Sequence, residues 1–168
     1  VLDLTAGAYT ARIADKTDGS GVVLGEAYDA GLGGTARLMN ISARTWVGTG
    51  SDNLVAGFVI SGDSPKTLLI RAIGPTLAQW GVPGLLDDPV LHVYRQGESL
   101  ALHHNDDWDD VSYASEVATA AQSVGAFALN AGAHDSALLL TLPPGVYSAV
   151  VTGADNSTSR MSRTRFPN

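Results

Sequence analysis

Residues 135–151 read Asp-Ser-Ala-Leu-Leu-Leu-Thr-Leu-Pro-Pro-Gly-Val-Tyr-Ser-Ala-Val-Val. Two short apolar runs flank a Pro-Pro-Gly turn, and Gly and Pro are the strongest local breaks in regular structure. The pattern predicts a strand at 137–142 and a second strand at 146–151. Strands of this length separated by tight turns favour an all-β fold.

Part of this stretch occurs twice in the chain. Residues 4–13, Leu-Thr-Ala-Gly-Ala-Tyr-Thr-Ala-Arg-Ile, match residues 142–151, Leu-Pro-Pro-Gly-Val-Tyr-Ser-Ala-Val-Val, 138 positions later. Leu, Gly, Tyr and Ala recur in register, and Ile is replaced by Val. Similarity at a fixed spacing is typical of repeat proteins. We therefore interpret the first 30 residues as a hairpin that belongs, by sequence, to the end of a preceding unit.

The remaining elements follow from alternation and from turn residues. A helix is expected at 113–123, capped by Ser112, because its small apolar residues form a stripe at helical spacing. One helical turn is expected at 76–80. Further strands are predicted at 9–13, 22–28, 37–42, 54–60, 66–73, 90–95, 100–103, 127–129 and 161–166.

These elements predict an antiparallel β-sandwich, jelly-roll-like, with one short helix and an extra N-terminal β-hairpin. We divide the chain into the hairpin at 1–30, a Gly-rich linker at 31–36 and a sandwich unit at 37–168. The chain begins within an apolar, strand-like pattern, so we expect a processed form without a signal peptide.

Composition narrows the classes of function. The formal net charge is −7 and the pI is about 4.8, which disfavours binding to nucleic acid or anionic membranes. The chain has no cysteine, so it has neither disulfides nor thiolate metal sites. No apolar run is long enough for a membrane-spanning helix.

Two segments resemble the bacterial pre-peptidase C-terminal domains. Residues 88–101, Asp-Pro-Val-Leu-His-Val-Tyr-Arg-Gln-Gly-Glu-Ser-Leu-Ala, precede an Asp-rich loop, and residues 135–151 contain the "L-P-x-G-x-Y" pattern of the hairpin near the end of those domains. Residues 66–77 and 124–127 are similar to a unit found in tandem in large bacterial surface proteins. The resemblance implies a secreted, non-catalytic β-sandwich module at the cell surface.

The acidic loop is the best candidate for a metal site. Calcium takes six to eight hard oxygen ligands, which a loop rich in carboxylates can supply. We expect no required cofactor but a site that could hold calcium; the alternative is a solvated acidic loop. The candidate ligands are Asn105, Asp106, Asp107, Asp109 and Asp110.

Two other groupings invite a catalytic or metal interpretation. His92, His103 and His104 could bring imidazoles together, but a zinc site needs three or four placed ligands. His134-Asp135-Ser136 contains the residue types of a hydrolase triad, yet neighbours in sequence do not generally form that relay. We therefore expect no enzymatic activity.

Self-association is the function that we favour from the sequence. A lone hairpin is marginal in water, so the N-terminal copy should dock on its own chain or on the next molecule by strand addition. The result would be a homo-oligomer or polymer. The arginines of the last predicted strand could contact a negatively charged partner, or they could keep an edge strand of the sheet from aggregating. The residues expected to take part are Tyr9, Ala11, Ile13, Val22, Leu24, Arg160, Arg163 and Arg165.

The alternative is an accessory module of a secreted enzyme or adhesin that binds a polysaccharide or a matrix protein. Exposed Trp46, Trp80 and Trp108 would make the contacts, although the same residues could instead pack in the core.

Overall fold

The computed structural model describes residues 4–13, 23–27 and 39–154. The chain divides into two compact units, Val1–Ala43 and Arg44–Asn168. The predicted linker at 31–36 and the predicted last strand at 161–166 lie outside the described residues.

The second unit contains six strands and two helices in its described part. The strands are β1 (Leu54–Ile60), β2 (Lys66–Ala72), β3 (Pro89–Arg95), β4 (His103–Asn105), β5 (Ser136–Leu142) and β6 (Gly145–Gly153). The helices are a 3₁₀ helix (Pro75–Trp80) and α1 (Ala114–Ser123).

The strands form two antiparallel sheets, which confirms the predicted all-β class. Sheet A has the order β1-β6-β3-β4, and sheet B consists of β2 and β5. The strands on either side of Pro143-Pro144 therefore lie in different sheets. The Pro-Pro turn leads the chain from one sheet to the other, and the hairpin expected from the resemblance at this turn is wrong.

The core lies between the inner faces of the two sheets. Leu91 and Val93 of β3 have no exposed surface, and Leu138 of β5 is 2% exposed. In β6 the buried residues alternate with half-buried ones, as expected for a strand with one face on the core. Phe58 of β1 stacks on its cross-strand partner Tyr147 with ring centroids 5.5 Å apart.

Several predicted elements are shifted or absent. The strand expected at 100–103 is found at His103–Asn105, and α1 is preceded by Tyr113 without a side-chain cap from Ser112. No strand is present in residues 9–13, 23–27, 39–42 or 127–129. Alternation of apolar and polar residues indicates that a segment could form a strand. A strand also needs a second backbone segment to hydrogen-bond with, and the alternation does not show whether one is present.

Residues 127–129 are held in place by contacts other than backbone hydrogen bonds to a neighbouring strand. The Phe127 carbonyl accepts a hydrogen bond of 2.7 Å from the Arg71 guanidinium, whose carbon lies 4.6 Å from the centre of the Phe127 ring. This segment is therefore held by a side chain and an aromatic contact instead of by a neighbouring strand.

A buried carboxylate, that of Asp135, holds the connection that follows β2. Asp135 has no exposed surface, and its oxygens accept hydrogen bonds from the Gly74 N–H at 2.8 Å, the Thr76 N–H at 3.2 Å and the Thr76 hydroxyl. The positive charge of Arg71 also acts on Asp135. These interactions offset the cost of removing the carboxylate from water.

Gly74 is required at this point by the close approach of another chain segment. A Cβ atom at Gly74 would lie 2.0 Å from the Leu86 carbonyl oxygen, which no side chain could tolerate. The connection after β2 therefore packs directly against the backbone that leads into β3.

We predict that Asp135→Asn lowers the free energy of unfolding by about 3 kcal/mol. The amide has one acceptor oxygen, so its NH₂ group would face a backbone N–H or the Thr76 hydroxyl in a buried site. Urea unfolding followed by tryptophan fluorescence measures the change. The matched control is Asp110→Asn, an exposed residue of the acidic loop; equal stability of the two variants would contradict the prediction.

Candidate functional site

The sequence repeat is matched by a repeat of local geometry. The Tyr9 hydroxyl donates a hydrogen bond of 2.8 Å to the Thr5 carbonyl, and the Tyr147 hydroxyl donates one of 2.9 Å to the Pro143 carbonyl. Both bonds span four residues, at equivalent positions of the two copies. A tyrosine that bonds back to an upstream carbonyl is the tyrosine corner of β-sandwich proteins.

The glycine of each copy lies against the tyrosine ring. A Cβ atom at Gly7 would lie 3.6 Å from ring atoms of Tyr9, and one at Gly145 would lie 3.1 Å from the ring of Tyr147. The approach is tight at Gly145, whereas at Gly7 a Cβ atom would make an ordinary van der Waals contact. Residues 4–9 share with the turn that enters β6 the hydrogen bond from the tyrosine hydroxyl to the carbonyl four residues earlier.

The two tyrosine corners have opposite environments. Tyr147 is 2% exposed in the core, whereas Tyr9 is 56% exposed. All the described residues of 4–13 and 23–27 are exposed. The two segments approach each other, since a Cβ atom at Gly25 would lie 2.9 Å from Ile13 Cδ1. Neither segment forms a strand in its described residues, so the strands predicted at 9–13 and 22–28 are not found there; the predicted turn between them lies outside the described residues.

The residues proposed for self-association fall in two groups. Tyr9, Ala11, Ile13 and Leu24 are exposed, and Leu24 is the most exposed of them at 80%. The remaining four, Val22, Arg160, Arg163 and Arg165, lie outside the described residues. The structure thus brings four of the eight predicted residues together in one unit.

We predict that Tyr147→Phe lowers the free energy of unfolding by about 1 kcal/mol, because it leaves the Pro143 carbonyl without its donor. Tyr9→Phe removes the same bond from an exposed corner and is the matched control, with an expected change of less than about 0.5 kcal/mol. Chemical denaturation of dilute, unassembled protein measures both. A larger loss from Tyr9→Phe would show that the N-terminal corner stabilises the folded unit.

The acidic loop uses much of its polar capacity inside the fold. Asn105 is buried; its amide donates to the Asp107 carbonyl at 2.8 Å, and its oxygen accepts the Ala137 N–H at 2.8 Å. Asp109 accepts the Gly132 N–H at 2.7 Å. Asp106 and Asp110 are exposed. Asn105 is thus a structural residue that joins the loop to β5.

One group of potential metal ligands comes together in the described part of the chain. Asp88, Asp107 and His134 place their ligand atoms within 4.8 Å of one another. Only Asp107 belongs to the predicted calcium set. Asp88 and His134 are far from it in sequence and adjoin the starts of β3 and β5, so only the packing of those strands reveals the group.

The group already contains a direct ion pair. His134 Nδ1 lies 2.8 Å from Asp107 Oδ1, and the hydrogen bond and charge of Asp107 raise the pKa of His134. Two carboxylates with an imidazole fit a transition metal better than calcium, which prefers oxygen ligands alone.

His92 and His104 face each other on the outer side of sheet A. They are cross-strand partners with ring centroids 6.0 Å apart, and burial together with His104 lowers the pKa of His92. His103 is the neighbour of His104 in β4 and so lies on the other face of the strand. The zinc interpretation therefore has two convergent imidazoles and not three.

The triad-like run separates in space. His134 bonds to Asp107, Asp135 bonds to Gly74 and Thr76, and the Ser136 hydroxyl donates to the Pro89 carbonyl. Each side chain has a different partner, so the run does not form a catalytic relay.

The three tryptophans have separate environments. Trp108 is half-buried and its indole N–H donates to the Asn130 carbonyl at 3.0 Å, which anchors the acidic loop. Trp80 is 53% exposed and packs edge-to-face on Phe127, with ring centroids 4.5 Å apart. Trp46 is 41% exposed.

Comparison of this chain with protein-family models, with curated proteins and with solved structures gave no match. The resemblance to the pre-peptidase C-terminal domains therefore stays a prediction. Within the residues that the structure describes, no helix has the length and apolar character needed to cross a membrane.

We predict that His134→Gln lowers the Tm more at pH 5.5 than at pH 8. The pKa of His134 is raised in the folded state, so its pairing stabilises the fold fully below the unfolded pKa of about 6.5 and is lost as the pH rises through the folded pKa. Thermal melts in chelator at both pH values measure this. His103→Gln removes another exposed histidine and is the control; an equal effect of His134→Gln at both pH values would contradict the prediction.

The same melts test for a bound cation. A rise in Tm with added calcium or zinc that Asp107→Asn abolishes would support a metal held by this group. Identical melts with metal and with chelator would remove the calcium prediction.

Proposed function

We propose that this chain is a non-catalytic, extracellular structural module that self-associates head to tail through its N-terminal segment, residues 1–30, into a filament or surface array. One observation carries the proposal. Residues 4–9 make the same tyrosine-corner hydrogen bond as residues 142–147, yet they are exposed and belong to no sheet among the described residues. An exposed segment that repeats the sequence entering a strand is suited to pairing with a second molecule.

Burial of apolar side chains would drive the association. The N-terminal unit exposes large apolar residues that a core would normally cover, and burying such surface is worth about 25 cal/mol per Å². The exposed fractions are 57% for Leu4, 56% for Tyr9, 60% for Ile13, 65% for Val23 and 80% for Leu24. Backbone hydrogen bonds to the edge of a sheet would add direction and register.

The geometry of the contact favours an open polymer. The donor segment and the acceptor sheet are different surfaces of the same chain, and a contact between unlike surfaces gives a filament when its rotation does not close. Arg160, Arg163 and Arg165 could orient the contact by facing the acidic loop of a neighbour. The negative net charge would otherwise keep separate copies apart.

The location at a bacterial cell surface is supported by the resemblance to secreted tandem modules. The absence of cysteine agrees with a fold that needs no particular redox compartment. Calcium binding by the acidic loop stays a separate proposal that assembly does not require.

A second function is favoured by the aromatic pair Trp80 and Phe127. Trp80 is half-exposed at the end of the 3₁₀ helix, and Arg71 holds Phe127 beneath it. A fixed, exposed tryptophan can stack on a sugar ring, so a polysaccharide- or matrix-binding module is the alternative.

We predict that deletion of residues 1–30 abolishes assembly and leaves the sandwich unit folded, because the core residues all lie in the second unit. Ile13→Ser/Leu24→Ser in the full chain should weaken assembly in the same direction. Negative-stain electron microscopy and sedimentation velocity over a range of concentrations measure assembly, and circular dichroism checks folding.

The matched control is Leu100→Ser/Val124→Ser, which removes two apolar side chains that are 80% and 61% exposed elsewhere. Filaments that persist after the deletion would overturn the proposal. Single particles of the intact chain at every concentration would also overturn it and would favour the binding-module alternative.

A further inference from the structure

β1 presents a strand edge that no other described strand pairs with. Among the residues that the structure describes, β1 is the end strand of sheet A and pairs with β6 alone. Its seven residues, Leu-Val-Ala-Gly-Phe-Val-Ile, contain no charge and no proline. Natural edge strands are usually short, charged, bulged or covered, because a bare edge pairs with other chains.

The other edges in the described sheets differ from β1. β4, at the opposite end of sheet A, has three residues. β2 carries Lys66 and Arg71. β5 is contacted by α1 and β4, and its Ala137 N–H is taken by the side chain of Asn105. β1 thus combines length, apolar character and an unpaired edge.

The inner face of β1 is incompletely covered. Ala56 is exposed although its cross-strand partner Ala149 is 5% exposed, and Leu54 and Phe58 are only half-buried. Sheet B makes its closest contacts to sheet A with β3 and β4. On the outer face, Val55 is 61% and Val59 is 68% exposed. A further strand beside β1 would cover apolar surface on both faces.

The N-terminal segment has the sequence that pairs with β1. In the native sheet, Leu54, Ala56 and Phe58 lie opposite Val151, Ala149 and Tyr147 of β6. The equivalent residues of the first copy are Ile13, Ala11 and Tyr9. Residues 7–13 therefore offer β1 the Tyr and Ala that it already packs against on its paired side, in the same order, with Ile in place of Val.

We infer that the free edge of β1 receives residues 7–13 of a second copy as an antiparallel strand, with Tyr9 opposite Phe58, Ala11 opposite Ala56 and Ile13 opposite Leu54. This register keeps the three donor side chains on the core side of sheet A, because a shift by one residue would turn all of them outward. The inference rests on the proposed function and identifies β1 as the strand to which the N-terminal segment of another copy binds.

Cysteine pairing tests the acceptor directly, because the chain contains no cysteine of its own. A copy with Ala11→Cys is mixed with a copy with Ala56→Cys under mild oxidation. Directly opposed residues have Cβ atoms about 5 Å apart, close enough for a disulfide after small adjustment. The mixed disulfide should form roughly tenfold faster than between Ala11→Cys and Leu100→Cys, because pairing raises the local concentration.

A charged substitution on β1 supplies the second measurement. Val59→Lys places a charge on an exposed position of the edge and should abolish assembly with little effect on Tm. Lys66→Glu, on the edge of sheet B, is the control and should assemble normally.

The outcomes separate the acceptor from the function itself. Fast Ala11–Ala56 cross-linking together with loss of assembly in Val59→Lys supports the inference. Suppose instead that Val59→Lys assembles normally and the Ala11–Ala56 cross-link does not form, while deletion of residues 1–30 still abolishes assembly. That result overturns β1 as the acceptor and leaves the proposed function intact. Equally fast cross-linking of Ala56→Cys with itself overturns the inference in favour of β1–β1 pairing. Failure of the intact chain to assemble overturns both.

Discussion

The carboxylate of Asp135 is the interaction on which the arrangement of the sandwich unit depends. The carboxylate accepts hydrogen bonds from the backbone N–H groups of Gly74 and Thr76. The backbone carbonyl of Asp135 accepts the backbone N–H of Trp108 at 2.7 Å. The Thr76 hydroxyl extends the network to the Asn130 N–H. Three long connections, after β2, after β4 and after α1, are therefore fixed to the start of β5. Because a buried charge must be fully hydrogen-bonded, these loops have little freedom to rearrange separately.

The Pro-Pro turn and the tyrosine corner together explain how one short segment joins two sheets. Neither Pro143 nor Pro144 can donate a ladder hydrogen bond, so the chain leaves sheet B there. The Tyr147 hydroxyl then closes the turn onto Pro143 as the chain enters the middle of sheet A. The tyrosine hydrogen bond needs only a few residues, so the first copy keeps it with Thr5-Ala6 in place of Pro-Pro and without forming a strand in residues 4–13.

The two candidate binding surfaces, the acidic loop and the apolar surface of β1 with the N-terminal segment, differ in how many of their groups are already in contact within the fold. In the acidic loop Asn105, Asp107 and Asp109 make hydrogen bonds inside the fold, whereas Asp106 and Asp110 are exposed. β1 and the N-terminal segment instead leave apolar side chains uncovered. Uncovered apolar surface in water carries a free-energy cost that association removes, and this contrast favours assembly over ligand binding.

The sequence by itself determined the local features: the strands predicted at 54–60, 66–73 and 146–151, the helix predicted at 113–123, each found within two residues of those bounds, and the repeated Gly-x-Tyr motif. Periodicity, turn residues and short-range hydrogen bonds act within a few positions, so they can be read along the chain. Only the tertiary structure decided that β5 and β6 lie in different sheets, that Asp135 is buried, and that Asp88 and His134 meet Asp107. Those outcomes depend on which distant backbones pair and which charges lose water, and no local pattern contains that information.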